Sequence, residues 1–249
     1  MTGTGEPVVR CTDLARTYGS GPGSVVAVAG VSCAVLPGQS TALVGPSGCG
    51  KSTLLHLFAG LETATGGSVD WPGTGHSPWG RPTEVGVVFQ SPSLLPHLDV
   101  LENVALPLVL DGWSAADARA RAGASLDLLD LGRLSRALPD ALSGGQAQRI
   151  AIARVLAARP RLVLADEPTG QLDGTTGAHV IEVLLRAVDR AGAAVMVTTH
   201  DPRVAARFGG VWRMSEGRLL DSPDRATDRD TDPAGALAAS NASATGARA

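Results

Sequence analysis

The fold of this chain follows from one stretch, Gly45-Pro46-Ser47-Gly48-Cys49-Gly50-Lys51-Ser52-Thr53. A short apolar run ends just before it at Val44, and residues 54–59, which have helical length, follow it. The pattern predicts a buried strand, a glycine-rich loop and the start of a helix. The glycines let successive backbone N–H groups point inward, and the free amides and dipole of the helix start favour an anion. This is the context of a phosphate-binding P-loop.

Lys51 strengthens this interpretation because it is the only lysine among 21 basic residues, the others being arginines. A compact ammonium on a thin stem fits between the β- and γ-phosphates of a nucleotide, whereas a planar guanidinium does not. One lysine has to fall somewhere, but chance alone does not explain the glycine pattern around it. We therefore expect Lys51 to contact phosphate.

Composition bounds the class of protein. A chain of 249 residues can bury a substantial core, and we expect one domain with an inserted lobe. The net charge is −3 and the arginines are spread along the chain, which argues against a nucleic-acid partner. No apolar run approaches the ~18 residues of a membrane span, and residues 1–7 lack a signal-peptide pattern, so we expect a soluble, cytoplasmic protein. The three cysteines lack a metal-binding spacing.

The rest of the pattern predicts alternating strands and helices with a helical insertion. Strands are expected at residues 8–12, 25–36, 67–71, 85–89, 161–166 and 193–199, and a hairpin within 211–220. Helices are expected from a Ser114 cap to about Leu131, over residues 146–158 and over 177–190. Residues 221–249 contain almost no large apolar side chain and are predicted to be a disordered tail.

Two carboxylates, Asp166 and Glu167, follow an apolar run that reads as a buried strand. In an open α/β sheet, ligands lie beyond the carboxyl ends of the strands, which is also where the P-loop strand ends. Because Mg²⁺ with ATP prefers hard oxygen ligands, we take Ser52, Gln90 and Asp166 as candidate metal ligands. Glu167 is then placed to polarise a water. The structural alternative is that the acidic pair only caps the next turn.

A second glycine-rich helix start, Leu142-Ser143-Gly144-Gly145-Gln146, again offers free amides, a hydroxyl and a positive helix end. On its own it fits a flexible helix cap equally well. Because one P-loop needs only one phosphate-binding helix, a second anion site suggests service to a nucleotide held by another copy of the chain. His200 ends a strand and can reach the γ-phosphate, although lone histidines are more often structural. Tyr18, the only tyrosine, can stack on an adenine ring or simply end a strand.

Together these motifs resemble those of an ATP-binding-cassette ATPase over roughly residues 6–220. They occur in that family's order: the P-loop, Gln90, Ser143-Gly144-Gly145-Gln146, Leu162-Val163-Leu164-Ala165-Asp166-Glu167-Pro168, Leu172-Asp173 and His200. Residues 94–108 and 165–170 are similar to the subgroup of lipoprotein-releasing and macrolide-exporting transporter ATPases and the related cell-division ATPase. Two features depart from that subgroup, because the loop 72–82 is short and carries Trp79, and Gln171 stands where Asn or Ala is common.

The resemblance implies an α/β fold with a P-loop NTPase core that has a mixed sheet, an inserted helical lobe and an N-terminal antiparallel β part. It implies an ATP-binding cassette over residues 1–220. Within it, the RecA-like core covers residues 1–90 and 159–220, and the helical lobe covers residues 91–158.

The resemblance also implies a role for each motif. ATP and Mg²⁺ are the expected cofactors. Tyr18 would stack on adenine, Glu167 would be the general base and His200 the γ-phosphate switch. Asp173 would contact a second subunit. Ser143 to Gln146 would close over ATP bound to the partner's P-loop, which gives a head-to-tail dimer with two composite sites.

We therefore expect an ATP-hydrolysing subunit that energises a separate transmembrane permease from the inner face of the cell membrane. The permease is expected to contact residues 90–103, where the sheet meets the helical lobe. One alternative is an ATPase that regulates a membrane complex without transport, as in cell division. Another is a soluble cassette acting on DNA or ribosomes, but such proteins usually carry long coiled coils or two cassettes, and this chain shows neither pattern.

Overall fold

The computed structural model describes residues 6–72, 77–170 and 172–221. Residues 222–249 of the predicted disordered tail, Gln171 and part of the short loop (residues 73–76) lie outside the described residues. Asp221, the first residue of that predicted tail, is instead the last residue of a strand, so the prediction is wrong at this position. Within the described ranges, no helix combines the length and the apolar character that crossing a bilayer requires.

The described chain begins with three strands, has three consecutive α-helices in its middle and ends with two strands. The elements are β1 (Val9–Tyr18), β2 (Val25–Val35), β3 (Ser40–Val44), α1 (Lys51–Phe58), β4 (Gly66–Asp70), β5 (Val85–Val88), α2 (Val100–Leu110), α3 (Ala115–Asp127), α4 (Gly144–Ala157), β6 (Leu162–Asp166), α5 (Gly174–Ala191), β7 (Ala194–Thr199), α6 (Pro202–Ala205), β8 (Gly210–Ser215) and β9 (Arg218–Asp221).

The central sheet positions the ends of the chemically important strands. Its order is β5-β6-β7-β3-β8-β9, in which all neighbours are parallel except the β8–β9 hairpin. Strands β6 and β7 are buried along their whole length, as parallel strands covered on both faces are. Val44 pairs with Thr199, and Asp166 pairs with Thr198. The residues that follow β3, β6 and β7 therefore meet at one edge of the sheet.

The N-terminal antiparallel sheet has the order β2-β1-β4. Strand β1 runs to Tyr18, well past the predicted end at Thr12. Register shifts in its pairing with β2 fall between Cys11 and Thr17, and Asp13, within the first of them, takes a positive φ of 47°. The strand continues beyond this irregularity, so Tyr18 lies at its end.

The helical insertion consists of α2, α3 and α4, which lie between β5 and β6 in the sequence. The three helices pack against one another. Ser114 caps α3 as predicted, because its hydroxyl accepts a hydrogen bond from the Asp117 amide at 3.1 Å. The helix ends at Asp127 rather than near Leu131. Asp130, a non-glycine residue, makes the left-handed turn after the helix with a φ of 57°.

The mixed sheet, the antiparallel part and the helical insertion confirm the predicted fold class. The residue bounds of the core and lobe, 1–90 with 159–220 and 91–158, stay predictions.

Candidate functional site

The loop between β3 and α1 is shaped by close backbone packing that only glycine permits. Gly50 precedes α1 with a φ of 103°, and a Cβ atom there would lie 1.9 Å from the carbonyl oxygen of Ala27. A Cβ atom on Gly45 would lie 2.2 Å from the carbonyl oxygen of Met214. No described side chain caps α1, so the amides of its first turn remain open to an anion.

Lys51 places its ammonium inside this loop. Its Nζ donates hydrogen bonds to the carbonyl oxygens of Gly45 and Pro46, both at 2.9 Å, and lies 4.0 Å from the Cys49 sulfur. Lys51 is only 8% exposed, and its ammonium forms no ion pair with any acidic side chain among the described residues. A buried cation that carbonyl dipoles alone compensate is suited to a polyanionic ligand. The loop therefore fits the phosphates of a nucleotide.

The carboxyl end of β6 holds two acidic groups in fixed positions. Asp166 is buried, and its Oδ1 accepts a hydrogen bond from the Thr198 hydroxyl at 2.5 Å. The same hydroxyl oxygen accepts a hydrogen bond from the Glu167 amide at 2.9 Å. Thr198 thus orients both carboxylate-bearing residues, although the sequence analysis did not single it out. Knowledge that β6 and β7 are neighbours in register would have identified it.

Glu167 and His200 form a pair at this edge of the sheet. The Glu167 Oε2 and His200 Nδ1 atoms are 2.7 Å apart. The Glu167 side chain is 19% exposed and the His200 side chain 72% exposed, so the pair faces solvent through the imidazole. Glu167 has a φ of 47°, a conformation that costs a non-glycine residue about 1–2 kcal/mol.

The candidate metal ligands lie on three elements around the same edge. Ser52 is an exposed residue in the first turn of α1, and Gln90 is exposed two residues beyond β5. Strand β5 pairs with β6, whose last residue is Asp166. The described residues contain no cluster of three or more His, Cys, Asp or Glu side chains that would form an all-protein cage. A set of hydroxyl, amide and carboxylate oxygens fits Mg²⁺, which usually keeps waters and substrate phosphates as ligands.

Tyr18, the predicted adenine-stacking residue, makes a cation–π contact with Arg16. The guanidinium carbon of Arg16 lies 4.5 Å from the centroid of the Tyr18 ring, and Arg16 also pairs with Glu62 at 2.8 Å. Such a cation–π contact holds the ring in one orientation. Tyr18 is half-buried.

The second glycine-rich helix start satisfies its own polar groups. The Ser143 hydroxyl accepts a hydrogen bond from the Gln146 amide at 3.3 Å, and the Gln146 side chain accepts one from the Ser143 amide at 2.9 Å. This is a capping box, and Ser143 and Gly144 are exposed. Gly145 faces Leu172, since a Cβ atom on Gly145 would lie 3.2 Å from that side chain.

Asp173 follows Leu172 and caps α5. Its Oδ1 accepts hydrogen bonds from the amides of Thr175 at 3.1 Å and Thr176 at 3.0 Å. Hydrogen bonding from the Thr176 side chain, and then from backbone amides, lowers the pKa of the Asp173 carboxyl. Leu172, the residue before Asp173, is the one that contacts Gly145 of the Ser143–Gln146 motif.

The predicted site residues therefore form two groups. The P-loop, Asp166, Glu167 and His200 share one edge of the central sheet. Residues 143–146 and Asp173 form a second, exposed group, and among the described residues no hydrogen bond joins that group to the P-loop.

Comparison with known proteins agrees with this arrangement. Residues 28–170 match the family model described as ABC transporter. The lipoprotein-releasing system ATP-binding protein LolD of Novosphingobium aromaticivorans is 41% identical over 221 residues, which cover 86% of this chain and 99% of that protein. LolD of Pseudomonas fluorescens is 40% identical over 222 residues, which cover 86% of this chain and 98% of that protein. The predicted resemblance to the lipoprotein-releasing subgroup is confirmed.

Solved structures give the same result. A dimeric ATP-binding cassette, determined in a post-hydrolysis state with ADP and phosphate, has a TM-score of 0.77 and 34% identity. The match covers 86% of this chain and 97% of that cassette. The cassette cbiO1 of Clostridium perfringens, part of an ABC transporter complex, has a TM-score of 0.75 and 27% identity, with 87% and 88% of the two chains covered.

Proposed function

This chain belongs to the ABC transporter family, and from that premise we propose that it hydrolyses ATP with Mg²⁺ to drive a separate transmembrane permease. The observation that carries the proposal is the buried Lys51 ammonium, which only carbonyl oxygens compensate inside a glycine loop whose helix amides are open. A nucleoside triphosphate supplies the negative charge that this site lacks.

The residues at the sheet edge divide the work of hydrolysis. The backbone N–H groups of Gly45 and of residues 47–53 bind the phosphates. When bound, Mg²⁺ neutralises charge on the β- and γ-phosphates, and Ser52, Gln90 and Asp166 are its proposed ligands. Glu167 takes a proton from the attacking water.

Two residues of this edge hold the others in place. His200 is proposed to keep the Glu167 carboxylate oriented, which the 2.7 Å contact between the two side chains supports, and also to reach the γ-phosphate. Thr198 fixes Asp166 and the backbone of Glu167 through its single hydroxyl.

A second copy of the chain completes each site. Ser143 to Gln146 present a partly exposed helix start without a lysine of its own, and Leu172, which contacts Gly145, precedes the exposed Asp173. We propose that this surface closes over ATP held by the partner's P-loop in a head-to-tail dimer. The dimeric state of the similar cassette solved with ADP and phosphate supports this assembly.

The permease is proposed to contact residues 90–103 from the membrane side, which would place the chain at the inner face of the cell membrane. The Asn103 side chain accepts a hydrogen bond from the Leu95 amide at 2.7 Å and donates one to the Leu95 carbonyl oxygen at 3.1 Å. The backbone of Leu95 is thus held in place, and Leu95 is 45% exposed. Leu94, by contrast, packs against the buried core. The LolD and cbiO1 relatives, named for a releasing system and a transporter complex, favour transport over the regulatory alternative.

The test is hydrolysis of MgATP by the purified chain, followed by co-purification with the permease. Leu95→Glu should keep the basal ATPase rate and lose co-purification, because it charges an exposed apolar contact. Leu110→Glu is the matched control, since Leu110 is 78% exposed at the far end of α2 and should lose neither. Absence of ATP turnover in the wild-type chain would contradict the proposed activity. Equal retention of the permease by both variants would place the docking surface elsewhere.

A further inference from the structure

A cavity of about 370 Å³ lies at the amino ends of β6 and β7, away from the strand ends that carry Asp166 and Thr199. Of its lining residues, Val163 is the second residue of β6 and Ala193 directly precedes β7. Cavities that hold small ligands have volumes of about 300–1,000 Å³. This cavity, which we name the amino-end pocket, is therefore large enough for a small molecule and lies apart from the candidate ATP site.

The wall of the amino-end pocket is apolar apart from three arginines. Three helices end beside it, because Leu128 directly follows α3, Leu156 lies in the last turn of α4 and Ala191 is the last residue of α5. Leu128 is 50% exposed, so the apolar wall reaches the solvent. An apolar ligand group against this wall would be removed from water, which is favourable. The lining side chains that belong to the buried core are Leu156, Val163, Val183, Val188 and Ala193.

The three arginines give the pocket a local excess of positive charge. Arg159, Arg186 and Arg190 line it, and all three are exposed. Arg186 pairs with Glu182. Among the described residues, neither Arg159 nor Arg190 forms an ion pair with an acidic side chain. The whole chain has a net charge of −3, so this cluster of cations is not a consequence of a basic composition.

The helix ends give such cations a structural role as well. The last carbonyl groups of a helix carry partial negative charge, and Arg121 donates a hydrogen bond from Nε to the carbonyl oxygen of Ala157 at 3.0 Å. Burial, and then repulsion by the Arg159 guanidinium, lower the pKa of Arg121. Compensation of the helix ends therefore leaves a repulsion between cations that a bound anion would relieve.

Arg159 occupies a backbone position that glycine usually takes. It follows Ala158, the C-cap of α4, with a φ of 50°. This left-handed conformation is unfavourable for a residue with a Cβ atom, and glycine would end the helix without that cost. The side chain that stands there instead brings a guanidinium to the pocket.

We propose that the amino-end pocket binds a small amphiphilic anion, a carboxylate with an apolar body, at a site separate from the ATP site. The planar guanidinium forks of Arg159 and Arg190 match a carboxylate, which accepts parallel hydrogen bonds from such a fork. The apolar body lies against Val163 and Val188. The volume of the pocket equals about 12 water-sized groups of ~30 Å³ each, so octanoate fits within it.

The test measures binding of octanoate to the full chain by isothermal titration calorimetry. Acetate supplies the charge without the apolar body, and 1-octanol supplies the body without the charge. Arg159→Gly and Arg190→Gln each remove one guanidinium from the pocket. Arg161→Gln is the matched control, because Arg161 is exposed, pairs with Glu84 at 3.7 Å and does not line the pocket. Amide hydrogen exchange locates the bound ligand, and thermal unfolding checks the fold of each variant.

We expect octanoate to bind at one site per chain, and 1-octanol and acetate to bind at least about 10-fold more weakly. Arg159→Gly and Arg190→Gln should each raise the Kd for octanoate about 10-fold or more, as for loss of a charge-assisted hydrogen bond. Arg161→Gln should stay within about twofold of wild type. Octanoate should slow amide exchange at the ends of α4 and α5 and leave the P-loop amides unchanged.

Arg159→Gly also separates binding from a purely structural role. Glycine suits a φ of 50°, so this variant should unfold at the same temperature as wild type or a higher one while it loses octanoate. Undiminished octanoate binding by Arg159→Gly would overturn the proposal. No saturable binding to wild type, or equal affinity for 1-octanol or acetate, would overturn it as well. Should Arg190→Gln not fold, Arg159→Gly decides alone. None of these readouts depends on ATP turnover, so the proposed function is tested independently.

Discussion

The two glycine-rich helix starts of this molecule are similar in sequence and opposite in construction. At α1 the cap is Gly50 in a left-handed conformation, no described side chain caps the helix, and a buried ammonium lies in the loop. At α4 the cap is Ser143, whose capping box with Gln146 uses the polar side chains on each other. A Cβ atom added to Gly144 would meet open space, whereas Gly50 is in direct contact with another strand's backbone.

This difference distinguishes a phosphate site that one chain forms alone from a site that acts on a nucleotide held by a second chain. The first start has open amides and a buried ammonium that carbonyl oxygens compensate without an acidic partner among the described residues, so we expect it to bind phosphate by itself. In the second, the Ser143 and Gln146 side chains are bonded to each other's backbone and Gly144 is exposed. A ligand must therefore replace the capping bonds or approach the bare backbone. A site of the second kind suits a nucleotide that another chain delivers.

The largest expected effect comes from bringing the two starts together without hydrolysis. Glu167→Gln should lower the ATPase rate by about 10²–10⁴-fold, the range for loss of a general base. Because the bound nucleotide bridges two chains, the variant should accumulate as a dimer in MgATP, as measured by light scattering. A monomer at saturating MgATP would show that the second start does not serve a partner's nucleotide.

The next effect isolates the first start. Lys51→Ala should lower the ATPase rate by about 10²-fold or more while the protein stays folded, since it removes one charge contact to the transferred phosphate. Lys51→Arg should also be inactive, because a planar fork does not replace an ammonium enclosed by two carbonyl oxygens. Circular dichroism and thermal unfolding provide the control for folding. Near-normal turnover by either variant would contradict the assignment of the P-loop.

A pair of glycine substitutions compares the two starts directly. Gly50→Ala should lower the free energy of unfolding by at least about 1–2 kcal/mol, because its φ of 103° is strained for alanine and the new Cβ would lie 1.9 Å from the Ala27 oxygen. Gly144→Ala should change it by less than about 0.5 kcal/mol, as at an open surface position. Urea titration measures both. Equal losses would mean that the second start is as tightly packed as the first.

Local sequence was sufficient for the groups that one short segment contains. An apolar run that reads as a strand precedes each of three groups, namely the P-loop, the Asp166-Glu167 pair and His200. This local pattern is enough to predict that all three lie at strand ends. Thr198 was missed because its role depends on β6 and β7 being neighbours in register, which no local pattern records. The end of α3 was misplaced because Asp130, rather than a glycine, adopts the left-handed conformation.

The smallest effect tests whether the Ser143 hydroxyl does more than cap. Ser114 is its matched control, since it also caps an exposed helix start. The Ser114 hydroxyl accepts a hydrogen bond at 3.1 Å from the amide of Asp117, three residues further on. Ser143→Ala and Ser114→Ala should each lower the free energy of unfolding by about 1 kcal/mol, the usual loss for such a cap. Urea titration measures this common part.

Only Ser143→Ala should also weaken the ATP-dependent dimer. If its hydroxyl leaves the Gln146 amide to bond a partner's phosphate, the loss of one charge-assisted hydrogen bond weakens association by about 10-fold or more. The measurement is the ATP concentration for half-maximal dimerisation in the Glu167→Gln background, where hydrolysis does not remove the ligand. Ser114→Ala in that background should leave the concentration unchanged, because its helix start lies on α3. An equal shift in both would mean that stability alone accounts for the effect. No shift in either would mean that the second start binds a partner's nucleotide through its backbone amides and not through the serine.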